Sequence, residues 1–119
     1  MDLEKSYGIY VLGAMYTLEF KDKSSDKLLK DCDGYCDKTS KKIVVYNYQD
    51  DCDFHDPLFY IQKNIRHELI HAFMFESGLA ENWEHKTYGQ EETAVDWFAY
   101  QLPKINNALK TAGLTDCLS

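Results

Sequence analysis

Apolar and polar residues alternate loosely from Ile9 to Phe20, in a stretch rich in Tyr, Val, Ile and Phe. This period-two pattern predicts a strand, with Gly13 marking a bulge or bend inside it. Lys21 to Ser25 reads as a polar turn, and Asp26 to Asp31 as one short helical turn. Asp33-Gly34 is a turn signal. Ile43-Val44-Val45-Tyr46 is β-branched and aromatic, which predicts a second strand. Gln49 to Asp56 reads as an acidic loop.

The period then changes. Asp56-Pro57 supplies an N-cap acceptor followed by proline at the first helical position, so a helix is predicted from Pro57 to about Glu76. Gly78 is its expected left-handed stop. Ile61, Ile65, Ala72 and Phe75 give it one apolar face, with Leu58, Leu69 and Phe73 adjoining. Ala80 to Thr87 reads as a polar loop. A second helix is expected from about Gln90 to Leu102, with Glu91 and Glu92 in the first turn, where the helix dipole favours negative charge. Pro103 is expected to break it, and Lys104 to Ala112 to form a last helix ended by Gly113. These elements predict an α+β fold in a single domain, 1–119: a small antiparallel sheet, then a helix, then a second helix.

Composition narrows the function classes. With 45% hydrophobic and 28% charged residues in 119, the chain is an ordinary globular sequence able to form a core without disulfides. The net charge of −7 argues against nucleic acid as the partner, because phosphate contacts need clustered Lys and Arg. Met1 is followed by Asp2 and Glu4, not by a basic and then apolar leader, and no apolar run reaches the ~18 residues of a membrane span. A cytoplasmic protein without membrane contact is expected. Cys32, Cys36, Cys52 and Cys117 are therefore expected as reduced, mainly structural thiols.

The chemistry lies in His67-Glu68-Leu69-Ile70-His71, an H-E-x-x-H sequence inside the predicted helix. Residues i and i+4 stand one above the other on a helix, so both imidazoles can meet one ion. Glu68 is placed to handle the proton of a metal-activated water without being a ligand. A catalytic zinc takes three protein ligands. The extended form of the motif, with Gly and a third His downstream, is excluded by Met74 and Ser77 in those positions. The other common source is a carboxylate on the next helix, where Glu91, Glu92 and Asp96 are available. Glu92 and Asp96 share a face with Val95 and Ala99, so that face should look inward. Glu92 is assigned as third ligand, with Asp96 accepting a hydrogen bond from a ligand histidine. Helix-dipole decoration accounts better for Glu91. His85 is the rival third ligand.

Arg66-His67-Glu68-Leu69-Ile70-His71-Ala72-Phe73, followed by Glu76-Ser77-Gly78-Leu79, resembles small phage and prophage metallopeptidases. Glu91-Glu92-Thr93-Ala94-Val95-Asp96-Trp97-Phe98-Ala99 resembles the E-x-x-A-x-x-F-A helix of the ImmA/IrrE-like zincins, with Glu92 on the family's ligand glutamate. The Glu92…Asp96 pair is also similar to the E-x-x-x-D arrangement of thermolysin-like gluzincins. Asp33-Gly34-Tyr35-Cys36 with Lys42-Ile43-Val44-Val45 resembles the strand pair ahead of the motif in the phage group. The resemblance covers roughly Ile9 to Ile105. It implies a minimal zincin-like domain with one zinc ion, and a peptidase acting on a protein or peptide, for some members a regulatory protein. The helix-turn-helix domain and the long helix ahead of the strands are missing, which implies a cleft that is open or completed by a partner.

The expected reaction is peptide-bond hydrolysis, with Glu68 as general base and Tyr88 or His85 as candidates for steadying the oxyanion. The substrate is expected to pair along an exposed strand edge, for which Ile43–Tyr46 is the candidate. The alternative is a zinc-stabilised phage or prophage interaction module that binds a protein without cutting it. An intact Glu68 counts against that alternative, since a purely structural metal site has no use for the carboxylate.

Overall fold

The computed structural model describes residues 1–49, 54–80 and 92–111, with backbone only at 105 and 108–111. Among these residues the fold is α+β, with four strands in one sheet and two long helices. Strands β1 (Tyr7–Val11) and β2 (Ala14–Lys21) are followed by a 3-10 turn at Lys27–Leu29, then β3 (Gly34–Asp37) and β4 (Lys42–Tyr46). Helices α1 (Pro57–Glu76) and α2 (Glu92–Thr111) complete the described chain. Neither is long and apolar enough to cross a membrane.

The expected single strand over Ile9–Phe20 is a hairpin. Leu12 and Gly13 both have positive φ, 50° and 90°. That is the backbone of a two-residue primed turn, whose twist matches the flanking strands. Tyr7 faces Leu18 and Val11 faces Ala14 across it. Gly13 is thus a turn residue, not a bulge.

The sheet order is β1-β2-β4-β3. It is mixed, not antiparallel throughout: β4 pairs parallel with β2, through Leu18↔Ile43 and Phe20↔Val45, and antiparallel with β3. The segment 22–41 crosses over between β2 and β4, and β3 lies within it. Gly34, expected in a turn, opens strand β3. Ile43 to Tyr46 are all buried, as a continuous apolar run in a central strand should be. They therefore offer no free edge. The edges of this sheet are β1 and β3.

One face of the sheet carries Tyr16, Leu18, Phe20, Ile43 and Val45, and α1 packs on that face. The 3-10 turn packs beside β3. Asp26 caps that turn by accepting from the Leu28 N–H, and the Tyr35 hydroxyl donates to Asp26 at 2.6 Å. The one helical turn expected over Asp26–Asp31 is this element.

Helix α1 has the predicted bounds. Pro57 stands in its first turn, and Gly78 follows the Ser77 cap at φ 81°. Asp56 occupies the cap position but its side chain makes no capping bond. The buried face is Ile61, Asn64, Glu68 and Ala72, with Ile65 and Leu69 partly covered. Leu58 and Phe73 are exposed. Two polar residues thus sit in the middle of the buried stripe.

Helix α2 runs through Pro103 without a break, contrary to the two helices expected. Proline has no N–H to give the carbonyl four residues earlier, which is Ala99. Arg66 of α1 donates its Nε–H to that carbonyl at 2.6 Å. The lost intrahelical bond is replaced from the neighbouring helix.

Candidate metal centre

The centre is assembled by α1 and the first two turns of α2. His67 and His71 are one turn apart on α1 and project side by side, their ring centroids 4.9 Å apart. Their Nε2 atoms approach to 3.2 Å. Glu92 reaches both: one oxygen lies 3.1 Å from His67 Nε2 and the other 2.9 Å from His71 Nε2. One donor atom from each of the three residues lies within 4.8 Å of the others. The histidines are largely covered, at 14% and 11% side-chain exposure, whereas Glu92 is 69% exposed.

Asp96 fixes the state of His67. Its Oδ1 lies 3.0 Å from His67 Nδ1. A carboxylate can only accept, so Nδ1 carries the proton and donates. In the neutral ring, Nε2 is then a bare lone pair. That lone pair points at a carboxylate oxygen and at a second imidazole nitrogen. A cation at the meeting point satisfies all three, and an N, N, O donor set of this kind suits zinc and other first-row divalent ions. His67, His71 and Glu92 therefore form a group that could hold a metal ion.

Lys63 also reaches Asp96 Oδ1, at 3.1 Å, and lies over the Tyr100 ring. Burial works to raise the Asp96 pKa, but the Lys63 bond and charge, with His67 behind them, hold it below the usual carboxylate range. Lys63 precedes His67 by one turn, and that i, i+4 spacing was its signal in the sequence.

Glu68 is the anomaly of the site. It is 6% exposed, and its carboxylate has no hydrogen-bond partner among the described residues; the nearest imidazole nitrogen, His67 Nε2, is 4.0 Å away. Burial, then the charge of Glu92, pushes its pKa up to about 8, with Lys63 pulling the other way. A buried carboxyl in this state is costly unless something in the cleft uses it.

The cleft beside it has a volume of about 430 Å³. Gly34 and Tyr35 of β3 form one wall, and Lys63, Asn64, Glu68 and Phe75 of α1 the other. Asn64 is buried like Glu68 and donates to the Tyr48 hydroxyl at 3.2 Å. Tyr48 in turn donates to Asp33, which also receives Lys23. Lys23 binds the Leu29 and Cys32 carbonyls as well, so this network ties the chain ahead of β3 to the cleft floor. Asn64 stands one turn before Glu68 on the buried stripe. Its polarity amid apolar positions was the available sign.

The structure thus brings together His67, His71, Glu92, Asp96 and Glu68. Glu91, His85 and Tyr88 lie outside the described residues, as do Cys52 and Cys117. Cys32 and Cys36 are free thiols at the cleft. Burial, with Glu68 and Asp37 nearby, pushes the Cys36 pKa up to about 12. No family model, curated protein or solved structure matches the chain.

Proposed function

We propose that this chain is a zinc metallopeptidase with a minimal zincin-like domain, related to the phage and prophage ImmA/IrrE-like group, and that it hydrolyses peptide bonds in a protein substrate. The observation that carries this reading is Glu68. Its carboxylate is buried, has no hydrogen-bond partner among the described residues and lies next to the His67–His71–Glu92 group. A structural metal site gains nothing from such a group, and a hydrolytic one needs it.

His67, His71 and Glu92 would hold the ion, which when bound supplies Lewis-acid activation of a water and of the scissile carbonyl. Asp96 holds His67 in the tautomer that presents Nε2. Glu68 takes the proton of the attacking water and passes it to the leaving amine nitrogen. The substrate runs extended along β3, the sheet edge that walls the cleft, in place of the buried Ile43–Tyr46.

The test is metal content and peptide hydrolysis of wild type, His71→Ala and Glu68→Gln. One zinc per chain, lost in His71→Ala and kept in an inactive Glu68→Gln, supports the enzyme. A wild type that holds zinc but cleaves no peptide in a broad library moves the reading to the interaction module. Absence of zinc ends both.

A further inference from the structure

The two histidines are fixed by one helix, but both carboxylates that serve them, Glu92 and Asp96, come from α2. What sets the position of α2 is therefore part of the site. Glu92 is mostly solvent-exposed and cannot supply packing. Among the α2 side chains that are described, Val95 and Ala99 are the buried ones. Beyond Ala99 the helices part around an apolar groove of about 310 Å³, lined by Arg66, Ile70, Phe73 and Leu102 among others.

At that point lies the Arg66–Ala99 bond, 2.6 Å long and partly buried. Its acceptor exists in this form because Pro103 cannot donate to it. Arg66 adjoins His67 in sequence. Glu92, Asp96 and Ala99 lie on one face of α2, at i, i+4 and i+7. We propose that Arg66 and Pro103 act together as a positioning latch, in which the carbonyl released by Pro103 is gripped by Arg66 so that Glu92 and Asp96 are held in register with the histidines. A proline in a helix interior is costly. Here its product is a strong acceptor at the only neighbouring guanidinium on the facing turn of α1.

This inference rests on the metal-site reading, and the experiment separates the two. Zinc affinity would be measured by chelator competition for wild type, Arg66→Met, Pro103→Ala and the double variant, with thermal melts and helix content. Arg66→Met keeps the apolar stem and removes the donor. It should weaken zinc about tenfold, as loss of supporting contacts around metal ligands does. Pro103→Ala returns an N–H to Ala99 and should raise the melting temperature while weakening zinc, a pairing that a merely structural proline would not give. Adding Arg66→Met to Pro103→Ala should then cost clearly less than it does in wild type. Unchanged zinc affinity in Pro103→Ala, or an Arg66→Met cost that is equal in both backgrounds, would overturn the latch. If wild type binds no zinc, the metal-site reading fails by itself. Hydrogen exchange over Glu92–Ala99 then decides the latch: faster in Arg66→Met if it holds α2, unchanged if it does not.

Discussion

Gly34 and Glu68 touch across the cleft: a Cβ placed on Gly34 would stand 3.2 Å from Glu68 Oε2 and 3.3 Å from its Cγ. The Val44 carbonyl, also 3.2 Å away, closes the other side. The backbone of β3 is thus the surface on which the buried carboxylate rests. Gly34→Ala should displace the Glu68 head by a few tenths of an ångström, because the Val44 backbone is less able to yield. Zinc content should stay at the wild-type level, while hydrolysis falls about tenfold or more, since a small misplacement of a proton-transfer group is costly. Parallel metal analysis and peptide assay check this; a fall in both would place the effect on the ligands instead.

Glu68 also makes the metal-free protein sensitive to pH. Its folded pKa is about 8, above the ordinary carboxyl value of 4.5. Between these values the folded state binds more protons than the unfolded one, so stability falls as pH rises through the window. The loss is on the order of a few kcal/mol. Glu68→Gln should flatten the slope and melt higher than wild type at pH 8 but not at pH 4. Melting curves of chelator-treated protein across pH 4–8 provide the measurement.

Asp96→Asn should lower zinc affinity about ten- to a hundredfold. An amide can turn its NH₂ toward Nδ1, which favours the tautomer with the proton on Nε2, the nitrogen needed by the ion. Lys63→Met leaves the Asp96 carboxylate in place and should cost much less. Comparable losses in the two variants would show that Lys63, not the carboxylate, is what matters.

The two cleft cysteines should differ in reactivity. Cys32 is exposed, whereas the Cys36 thiol is held protonated by burial and by neighbouring carboxylates. At pH 8 iodoacetamide should modify Cys32 and spare Cys36 until the protein unfolds. Mass mapping of the alkylated peptides reads the outcome directly.

Leu12 stands at φ 50° in the β1–β2 turn with its side chain exposed. A branched apolar residue is unfavourable there, and asparagine is far better tolerated. Leu12→Asn should stabilise the fold by about 0.5–1 kcal/mol, seen as a higher denaturant midpoint at constant slope.

That residue also shows why the hairpin was not legible in the sequence. Asn-Gly would have announced a primed turn, but Leu-Gly continued the apolar run and read as one long strand. Helix α1 was legible because its signals are local: Pro57 at one end, Gly78 at the other and H-E-x-x-H at the right phase between them. Glu92 and Asp96 could be placed on one face from Val95 and Ala99 alone. What escaped was decided between distant segments. The parallel partner of β4, the donor that lets α2 continue through Pro103, and the Lys63–Asp96 pair all depend on residues far apart in the chain.

The sheet order carries one more consequence. β1–β2 and β3–β4 are each short-range hairpins, and they meet along the single parallel join of β2 with β4. This join, at Leu18–Ile43 and Phe20–Val45, is the longest-range pairing of the sheet and carries the largest loop-closure cost. Until that seam closes, the ribbon bearing Gly34 has no fixed place opposite α1, and the cleft has only one wall.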